Sequence, residues 1–218
     1  MQIGVLGTGM VGVAIANKLI QLGHDVTMGA REASNEKAAA WKAKAGARAR
    51  TGTFRDAASV GSVVFNCTRG ESSVALLGAL KDVLKGKVVV DVANPLDFSK
   101  GMPPTLTVSN TDSLGEQVQR ALPDTKVVKA LNTLTAALMV DPRALPEETA
   151  VFVCGNDAGA KATVSALLQS FGWKEREIVD LGGIAASRGT EAWLLLWVQL
   201  MGALKTPMFN LRLPKATA

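Results

Sequence analysis

Short apolar runs alternate with amphipathic segments along most of the chain. Runs of four to six residues that include valine, isoleucine or leucine predict strands, and apolar residues three or four positions apart predict helices. The predicted strands cover residues 2–6, 24–28, 63–66, 87–92, 126–131, 149–154 and 177–181. The predicted helices cover residues 10–22, 36–44, 73–84, 112–122, 158–171 and 184–204.

Strands that alternate with helices indicate βαβ units and a parallel sheet. The valine run in residues 87–92 indicates a strand buried on both faces, as in the middle of such a sheet. We therefore predict an α/β fold with a doubly wound, mostly parallel sheet. The alternation ends at Gly182-Gly183, which divides the chain into a main domain of residues 1–181 and a small helical C-terminal extension of residues 182–218.

The composition is that of a globular protein, with 48% apolar and 20% charged residues among 218, and it excludes disorder, collagen and coiled coil. The chain has one histidine, His24, and no tyrosine. These counts argue against a histidine-ligated zinc site, a tyrosine-dependent reductase and a Ser-His-Asp hydrolase. The two cysteines, Cys67 and Cys154, are too few for a disulfide framework and lack the spacing of a metal site.

The net charge is +5, but the lysines and arginines are spread along the chain without a dense run. This pattern suits a phosphate-rich small molecule better than a nucleic acid. The most apolar stretch, residues 193–204, is shorter than the roughly 20 residues of a spanning helix, and the N-terminus lacks the basic start of a signal peptide. We expect no membrane partner and a cytoplasmic location.

Gly7, Gly9 and Gly12 form a G-x-G-x-x-G motif, with Thr8, Met10 and Val11 between them. The motif follows a predicted strand and opens a predicted helix, which is the context of a dinucleotide-binding turn. The first glycine permits the tight turn, the second lets a pyrophosphate approach the backbone, and the third lets the helix pack against the strand. A glycine-rich turn without a ligand is the alternative.

The second strand indicates which dinucleotide binds. Enzymes that use NAD commonly place an acidic residue at its end to bind the ribose 2′-hydroxyl, whereas here Gly29 and Ala30 lead to Arg31. A guanidinium matches a 2′-phosphate, so we predict NADP(H) as the cofactor. Ser34, Asn35 and Lys37 are near enough in sequence to assist. The alternatives are a ribose contact from Glu32 and a solvated Arg31.

Ligands of such folds lie beyond the carboxyl ends of the strands. The loops expected there carry further candidates for cofactor contact: Thr68, Arg69, Asn94 and Pro95. Asn132 and Thr133 are candidates for substrate contact. A helix cap or turn role is the alternative for the polar residues among them.

The sequence offers no clear proton donor among the remaining ionisable side chains. We expect His24 at the opposite edge of the sheet and Cys67 as a small core residue. We expect Lys129 to be partly buried with its charged head at the surface, and a catalytic acid with a tuned pKa is the alternative. Arg188 and Glu191 are expected to pair on one helix face. We therefore assign no catalytic residue and no metal site, and expect hydride transfer between two stacked ring systems, with the protein positioning them.

Residues 1–12, 23–31, 127–133 (Val-Val-Lys-Ala-Leu-Asn-Thr) and 182–211 resemble the NADP-dependent reductases of the deazaflavin coenzyme F420 family. They are also similar to the reductase domain of six-transmembrane ferric reductases. The resemblance implies a Rossmann-type domain and hydride transfer to a flavin or deazaflavin acceptor. By position it implies that Thr8, Gly9, Met10 and Arg31 hold NADP, that Ala30 lies near the 2′-phosphate, and that Asn94, Asn132 and Thr133 border the nicotinamide.

Two other functions stay open: reduction of a small imine or carbonyl compound, and NADP sensing without turnover. The apolar stripe of the last helix either packs on the sheet of its own chain or forms a homodimer interface that closes the acceptor pocket, and we expect the dimer. The stripe consists of Trp193, Leu194, Leu196, Trp197, Leu200 and Leu204.

Overall fold

A computed structural model describes residues 1–214. Residues 215–218 of the predicted C-terminal extension lie outside the described residues. The described part of the chain contains ten strands. The strands are β1 (Gln2–Leu6), β2 (Asp25–Ala30), β3 (Ala49–Thr53), β4 (Val63–Asn66), β5 (Val88–Asp91), β6 (Leu96–Asp97), β7 (Thr105–Leu106), β8 (Lys126–Ala130), β9 (Val151–Gly155) and β10 (Ile178–Asp180). Eight of them form one sheet in the order β10-β9-β8-β5-β4-β1-β2-β3, and β6 pairs with β7 as a separate antiparallel hairpin.

The large sheet is parallel from β3 to β8, and only the pair β8–β9 is antiparallel. The register aligns Leu6 with Asn66, Asn66 with Asp91, and Asp91 with Lys129, so these parallel strands end at one edge, here called the carboxyl edge. The strand order reverses between β1 and β4, which creates the switch point where such folds bind dinucleotides. The predicted doubly wound, mostly parallel Rossmann-type fold is confirmed.

Nine α-helices cover the two faces of the sheet in the described part of the chain. They are α1 (Met10–Gln21), α2 (Glu36–Ala45), α3 (Phe54–Ser59), α4 (Gly70–Gly78), α5 (Lys81–Leu84), α6 (Leu114–Ala121), α7 (Ala136–Val140), α8 (Ala158–Phe171) and α9 (Ser187–Leu204). One apolar cluster buries residues of α1, α2, α7 and α8, and the other buries residues of α3 to α6.

The structure differs from the predicted elements in several short segments. The prediction missed β3, whose residues Ala-Arg-Thr-Gly-Thr carry no apolar run, and the short helices α3 and α7. The β6–β7 hairpin was also missed. The single helix predicted over residues 73–84 is two helices, α4 and α5, which are separated by Ala79 and Leu80.

The C-terminal segment returns to the sheet after α9. The N–H of Ala150 donates to the carbonyl of Leu211 at 2.8 Å, and Asn210 Nδ2 donates to the carbonyl of Ala150, also at 2.8 Å. Among residues 1–214, no helix has the length and hydrophobicity needed to cross a membrane. The domain boundary at Gly182-Gly183 stays a prediction.

Candidate cofactor and acceptor site

The glycine motif lies at the switch point, between β1 and α1. Gly7 adopts a left-handed φ of 118°, and its N–H donates to the carbonyl of Gly29 at 3.0 Å, which ties the turn to the end of β2. At Gly12, a Cβ would lie 2.1 Å from the carbonyl oxygen of Gly7. Gly12 is therefore required for the close packing of α1 on β1, as the motif predicts.

The first turn of α1 is open to an anion. Gly9 precedes the helix, no side chain caps its start, and no acidic residue lies in its first turn. A Cβ at Gly9 would meet no atom within 4 Å, so the space beside its backbone is free. Thr8 is half-buried, Met10 is exposed and Val11 is half-buried around this opening. Uncapped N–H groups at a helix N-terminus fit a pyrophosphate.

The loop after β2 carries the residues that were predicted to bind a 2′-phosphate. Arg31 and Ser34 are exposed and Ala30, at the end of β2, is buried. Lys37 lies in the first turn of α2 and lines a groove between α1 and α2 that also contains Thr8. The Asn35 side chain instead caps α2 by accepting from the N–H of Ala38 at 3.0 Å, so its carbonyl oxygen is already engaged.

A cleft of about 250 Å³ lies beyond the ends of β4 and β5, lined in part by Thr68, Arg69 and Asn94. Thr68 donates to Asn66 Oδ1 at 2.6 Å, which shapes the loop, and Arg69 pairs with Glu71 at 3.1 Å while remaining largely exposed. Cys67 also lines this cleft, and burial raises the pKa of its thiol. The side chain is half-buried and packs against the main apolar cluster, which fits the predicted role of a small core residue.

Asn94 and Asn132 join the loops that follow β5 and β8. Asn94 Nδ2 donates to the carbonyl of Asn132 at 2.8 Å, and Asn132 Nδ2 donates to Asn94 Oδ1 at 2.9 Å. Pro95 is buried directly after the first of these residues. Leu131 precedes Asn132 with a φ of 64°, a left-handed conformation that a leucine adopts only at an energetic cost.

Thr133 borders a second, mainly apolar pocket of about 220 Å³. Its hydroxyl oxygen is buried and has no hydrogen-bond partner within the described chain, while its carbonyl accepts from Trp193 Nε1 at 3.0 Å. The side chains of Phe152, Leu181 and Leu211 complete the apolar wall. This pocket, called here the Thr133 pocket, is adjacent in sequence to the Asn94–Asn132 pair.

The prediction for Lys129 was wrong. Its side chain is fully buried, and its ammonium contacts Asp91 Oδ2 at 2.6 Å, the carbonyl of Ala93 at 2.7 Å and Glu191 Oε1 at 2.8 Å. Burial opposes the charge, but the two carboxylates outweigh it and hold the pKa of Lys129 above its ordinary value. The sequence offered a lysine on a buried strand but no sign that two distant carboxylates would meet it.

The predicted Arg188–Glu191 pair was also wrong. Arg188 pairs with Glu116 on α6, at 2.6 Å, and this contact lowers the pKa of Glu116. Glu191 points inward to Lys129 instead. Glu116, the partner of Arg188, lies on α6, which packs against α9. The spacing of residues within α9 alone does not reveal this contact.

A family model described as coenzyme F420-dependent NADP oxidoreductase matches residues 2–95, which contain the glycine motif and Arg31. The F420-dependent NADP reductase of Methanocaldococcus jannaschii is 32% identical over 201 residues, which cover 88% of each chain.

The chain belongs to the coenzyme F420-dependent NADP oxidoreductase family.

A crystal structure from Arthrobacter sp. FB24, provisionally named an F420-dependent NADP reductase, matches with a TM-score of 0.91 and 48% identity, covering 98% of this chain and 99% of that one. Rat metalloreductase STEAP3 is 31% identical over 193 residues, which are 88% of this chain but 36% of that protein. The resemblance that the sequence motifs indicated is thereby confirmed, and the family classes the chain as an NADP-dependent oxidoreductase.

This family member has few groups for acid–base catalysis near the cleft. His24 lies before β2, at the opposite edge of the sheet, where its Nδ1 is 3.2 Å from the N-terminal amine. Partial burial and the nearby N-terminal charge lower its pKa. Within residues 1–214, no three His, Cys, Asp or Glu side chains are grouped to hold a metal ion.

Two of the three glycines of the motif, Gly9 and Gly12, make a matched test of the phosphate site. We expect Gly9→Ala to leave the free energy of unfolding within about 0.5 kcal/mol, because the new methyl group meets open space. It should weaken NADP⁺ binding about tenfold or more, because that space is where the pyrophosphate approaches. Calorimetric titration and thermal unfolding measure the two effects.

Gly12→Ala is the counterpart. Its methyl group would collide with the carbonyl of Gly7, so we expect a loss of about 1–3 kcal/mol in unfolding free energy, as for other overpacked sites. A Gly9→Ala variant that binds NADP⁺ as tightly as the wild type would contradict the assigned phosphate site.

Proposed function

We propose that the protein transfers a hydride between NADP(H) and a planar flavin-like acceptor, with the deazaflavin F420 as the first candidate. NADPH supplies the hydride when it is bound. The single observation that carries the proposal is the Thr133 pocket, an apolar pocket with one hydroxyl that has no partner within the described chain. Thr133 directly follows Asn132, a member of the Asn94–Asn132 pair.

The chain's own groups divide the work of binding. The open first turn of α1 suits the pyrophosphate. Arg31 suits the 2′-phosphate because it is exposed and directly follows β2, whose Gly29 is hydrogen-bonded to the glycine turn. The Asn94–Asn132 pair offers fixed amides to the nicotinamide end. The apolar walls from Trp193 and Phe152 suit a planar ring and exclude water.

The scarcity of acid–base groups supports an acceptor that needs no proton from the protein at the moment of transfer. Cys67 is the ionisable thiol at the cleft, and burial raises its pKa, so it is a poor acid or base near neutral pH. Reduction of a ring system that carries its own proton-accepting atoms fits such a site better than reduction of a simple carbonyl.

The test of this function is anaerobic oxidation of NADPH by the purified protein, followed by nicotinamide absorbance. F420, FMN, ferric citrate and a cyclic imine are offered as separate acceptors. We expect turnover with F420 or FMN. Turnover with the imine alone, or tight NADPH binding without any turnover, would contradict the proposal and favour an imine reductase or a sensor.

The same assay tests the Thr133 pocket through Thr133→Val. The variant removes a buried hydroxyl that lacks a partner, so we expect equal or higher thermal stability. We expect the KM for the ring acceptor to rise about five- to tenfold, the cost of about one hydrogen bond. The control is Thr135→Val, two residues further on, where the side chain caps no helix. An unchanged KM in Thr133→Val would rule out the hydroxyl as a ligand group.

Arg31→Gln tests the preference for NADP over NAD. Loss of a charge-assisted contact should weaken NADPH binding about 10- to 100-fold and leave NADH binding unchanged. Arg48→Gln removes the same charge at the opposite edge, where Arg48 faces Asp25, and serves as control. Equal losses for NADPH and NADH would show that Arg31 does not read the 2′-phosphate.

We further propose that a second copy of the chain covers the outer half of α9. Leu195, Leu196 and Leu204 are 37%, 48% and 54% exposed there, while the buried residues of α9 all lie before Leu195. We expect Leu196→Glu to convert a homodimer to a monomer in sedimentation equilibrium without loss of thermal stability. A wild-type monomer would contradict this interface.

We also propose a cytoplasmic location. The free thiols Cys67 and Cys154 agree with a reducing compartment.

A further inference from the structure

Lys129 lies at the centre of a cluster that the proposed binding contacts do not use. Its ammonium has three acceptors, Asp91 on β5, the carbonyl of Ala93 and Glu191 on α9, and all three lie within 2.8 Å. The three charged side chains are at most 2% exposed. An ammonium has three N–H groups, so this one is fully satisfied.

The cluster holds two carboxylates against one ammonium, and N–H donors from the backbone and from one side-chain amide offset the excess negative charge. Glu191 accepts the N–H groups of Leu114 and Gly115, at 2.8 and 2.9 Å, in the first turn of α6. Asp91 accepts Asn66 Nδ2 at 2.8 Å. Glu191 therefore fixes α9 to both α6 and the sheet through charge-assisted hydrogen bonds.

Stability alone does not explain such a cluster. Taking charges out of water is unfavourable, and well-packed apolar residues often stabilise a core as well as a buried ion group does. An ion group differs in that its hydrogen bonds fix the relative position of the elements that carry them. The Lys129 cluster joins elements from three parts of the chain: β5, β8 and α9.

The cluster connects the two halves of the proposed site. Lys129 holds the carbonyl of Ala93, and the next residue is Asn94, the partner of Asn132. Glu191 lies two residues before Trp193, whose indole N–H donates to Thr133 and whose ring lines the Thr133 pocket. A continuous set of contacts thus runs from the acceptor helix α9 to the loop at the nicotinamide end.

We propose that Lys129 and Glu191 are positioning residues that couple the placement of α9 to the loop after β5, so that the acceptor pocket and the nicotinamide stay aligned. This inference rests on the proposed function. Both side chains are buried, so they act through the elements that they hold together rather than by direct contact with a ligand.

The test uses Glu191→Gln in the full chain. Glutamine keeps the length of the side chain and one acceptor for α6, but it removes the charge that faces Lys129. The probes are 2′,5′-ADP, which has the phosphates of the adenosine half but no nicotinamide, and NADPH, whose fluorescence reports the surroundings of the reduced nicotinamide. The acceptor is whichever of F420 and FMN the wild type turns over.

We expect the Kd of 2′,5′-ADP to stay within about twofold and the fluorescence of bound NADPH to change. We expect kcat to fall about tenfold or more while the KM for NADPH stays within about threefold, as for loss of an alignment needed only for transfer. The conservative variant Glu191→Asp keeps the negative charge on a side chain that is shorter by one methylene, and it should give an intermediate kcat. It replaces Glu191→Gln in the test if the glutamine variant does not fold. Arg188→Gln, one turn earlier on α9, breaks only the half-exposed pair with Glu116 and should match the wild type.

Two results would overturn the coupling. One is a Glu191→Gln protein with unchanged kcat and unchanged NADPH fluorescence. The other is a parallel loss of 2′,5′-ADP and NADPH binding, which indicates a merely structural role. A wild type that binds neither nucleotide would overturn the proposed function, and the coupling with it, and so differs from both.

Discussion

Helix α1 and strand β1 are so close at Gly12 that an added methyl group would lie 2.1 Å from the carbonyl of Gly7. This contact brings the uncapped start of α1 to the switch point of the sheet, where its N–H groups face the space beyond the strands. The parallel register then brings the carboxyl ends of β2, β4, β5 and β8, and the loops that follow them, to the carboxyl edge of the sheet. The candidate site depends on this one close approach.

The parts of the site that the sequence predicted are those with short-range signals. Each of these signals lies within one short stretch of chain: the glycine motif, Arg31, and the polar residues that follow the strands. Because parallel strands end at the same edge of the sheet, the fold alone places these stretches close together. The fold was predicted for the same reason, because alternating periodicity is local. Strand β3 was missed because its residues alternate arginine, threonine and glycine, and it gains its order from pairing with β2.

Lys129 shows what local pattern cannot provide. On a strand with apolar neighbours, a lone lysine is best placed with its head in water, and the sequence alone favours that arrangement. The structure instead supplies Asp91 from the neighbouring strand and Glu191 from a helix near the end of the chain. The same limit explains Arg188, whose partner Glu116 lies on another helix rather than one turn away. Long-range charge pairing requires the packed structure.

Under the proposed function, these buried charges serve to align the ligands rather than to transfer a proton. For the hydride transfer between two ring systems that we propose, the rate depends on how accurately the rings are held, and small displacements are costly. An apolar contact between α9 and the sheet would allow sliding, since dispersion has little directionality. Glu191 on α9 instead makes one contact with Lys129 and accepts two N–H groups at the start of α6. Lys129 is itself held by Asp91 and by the carbonyl of Ala93, so the position of α9 is tied to the sheet in definite directions. On the proposed coupling, the ion cluster costs free energy of folding but fixes the geometry at the Thr133 pocket more closely than apolar packing alone would.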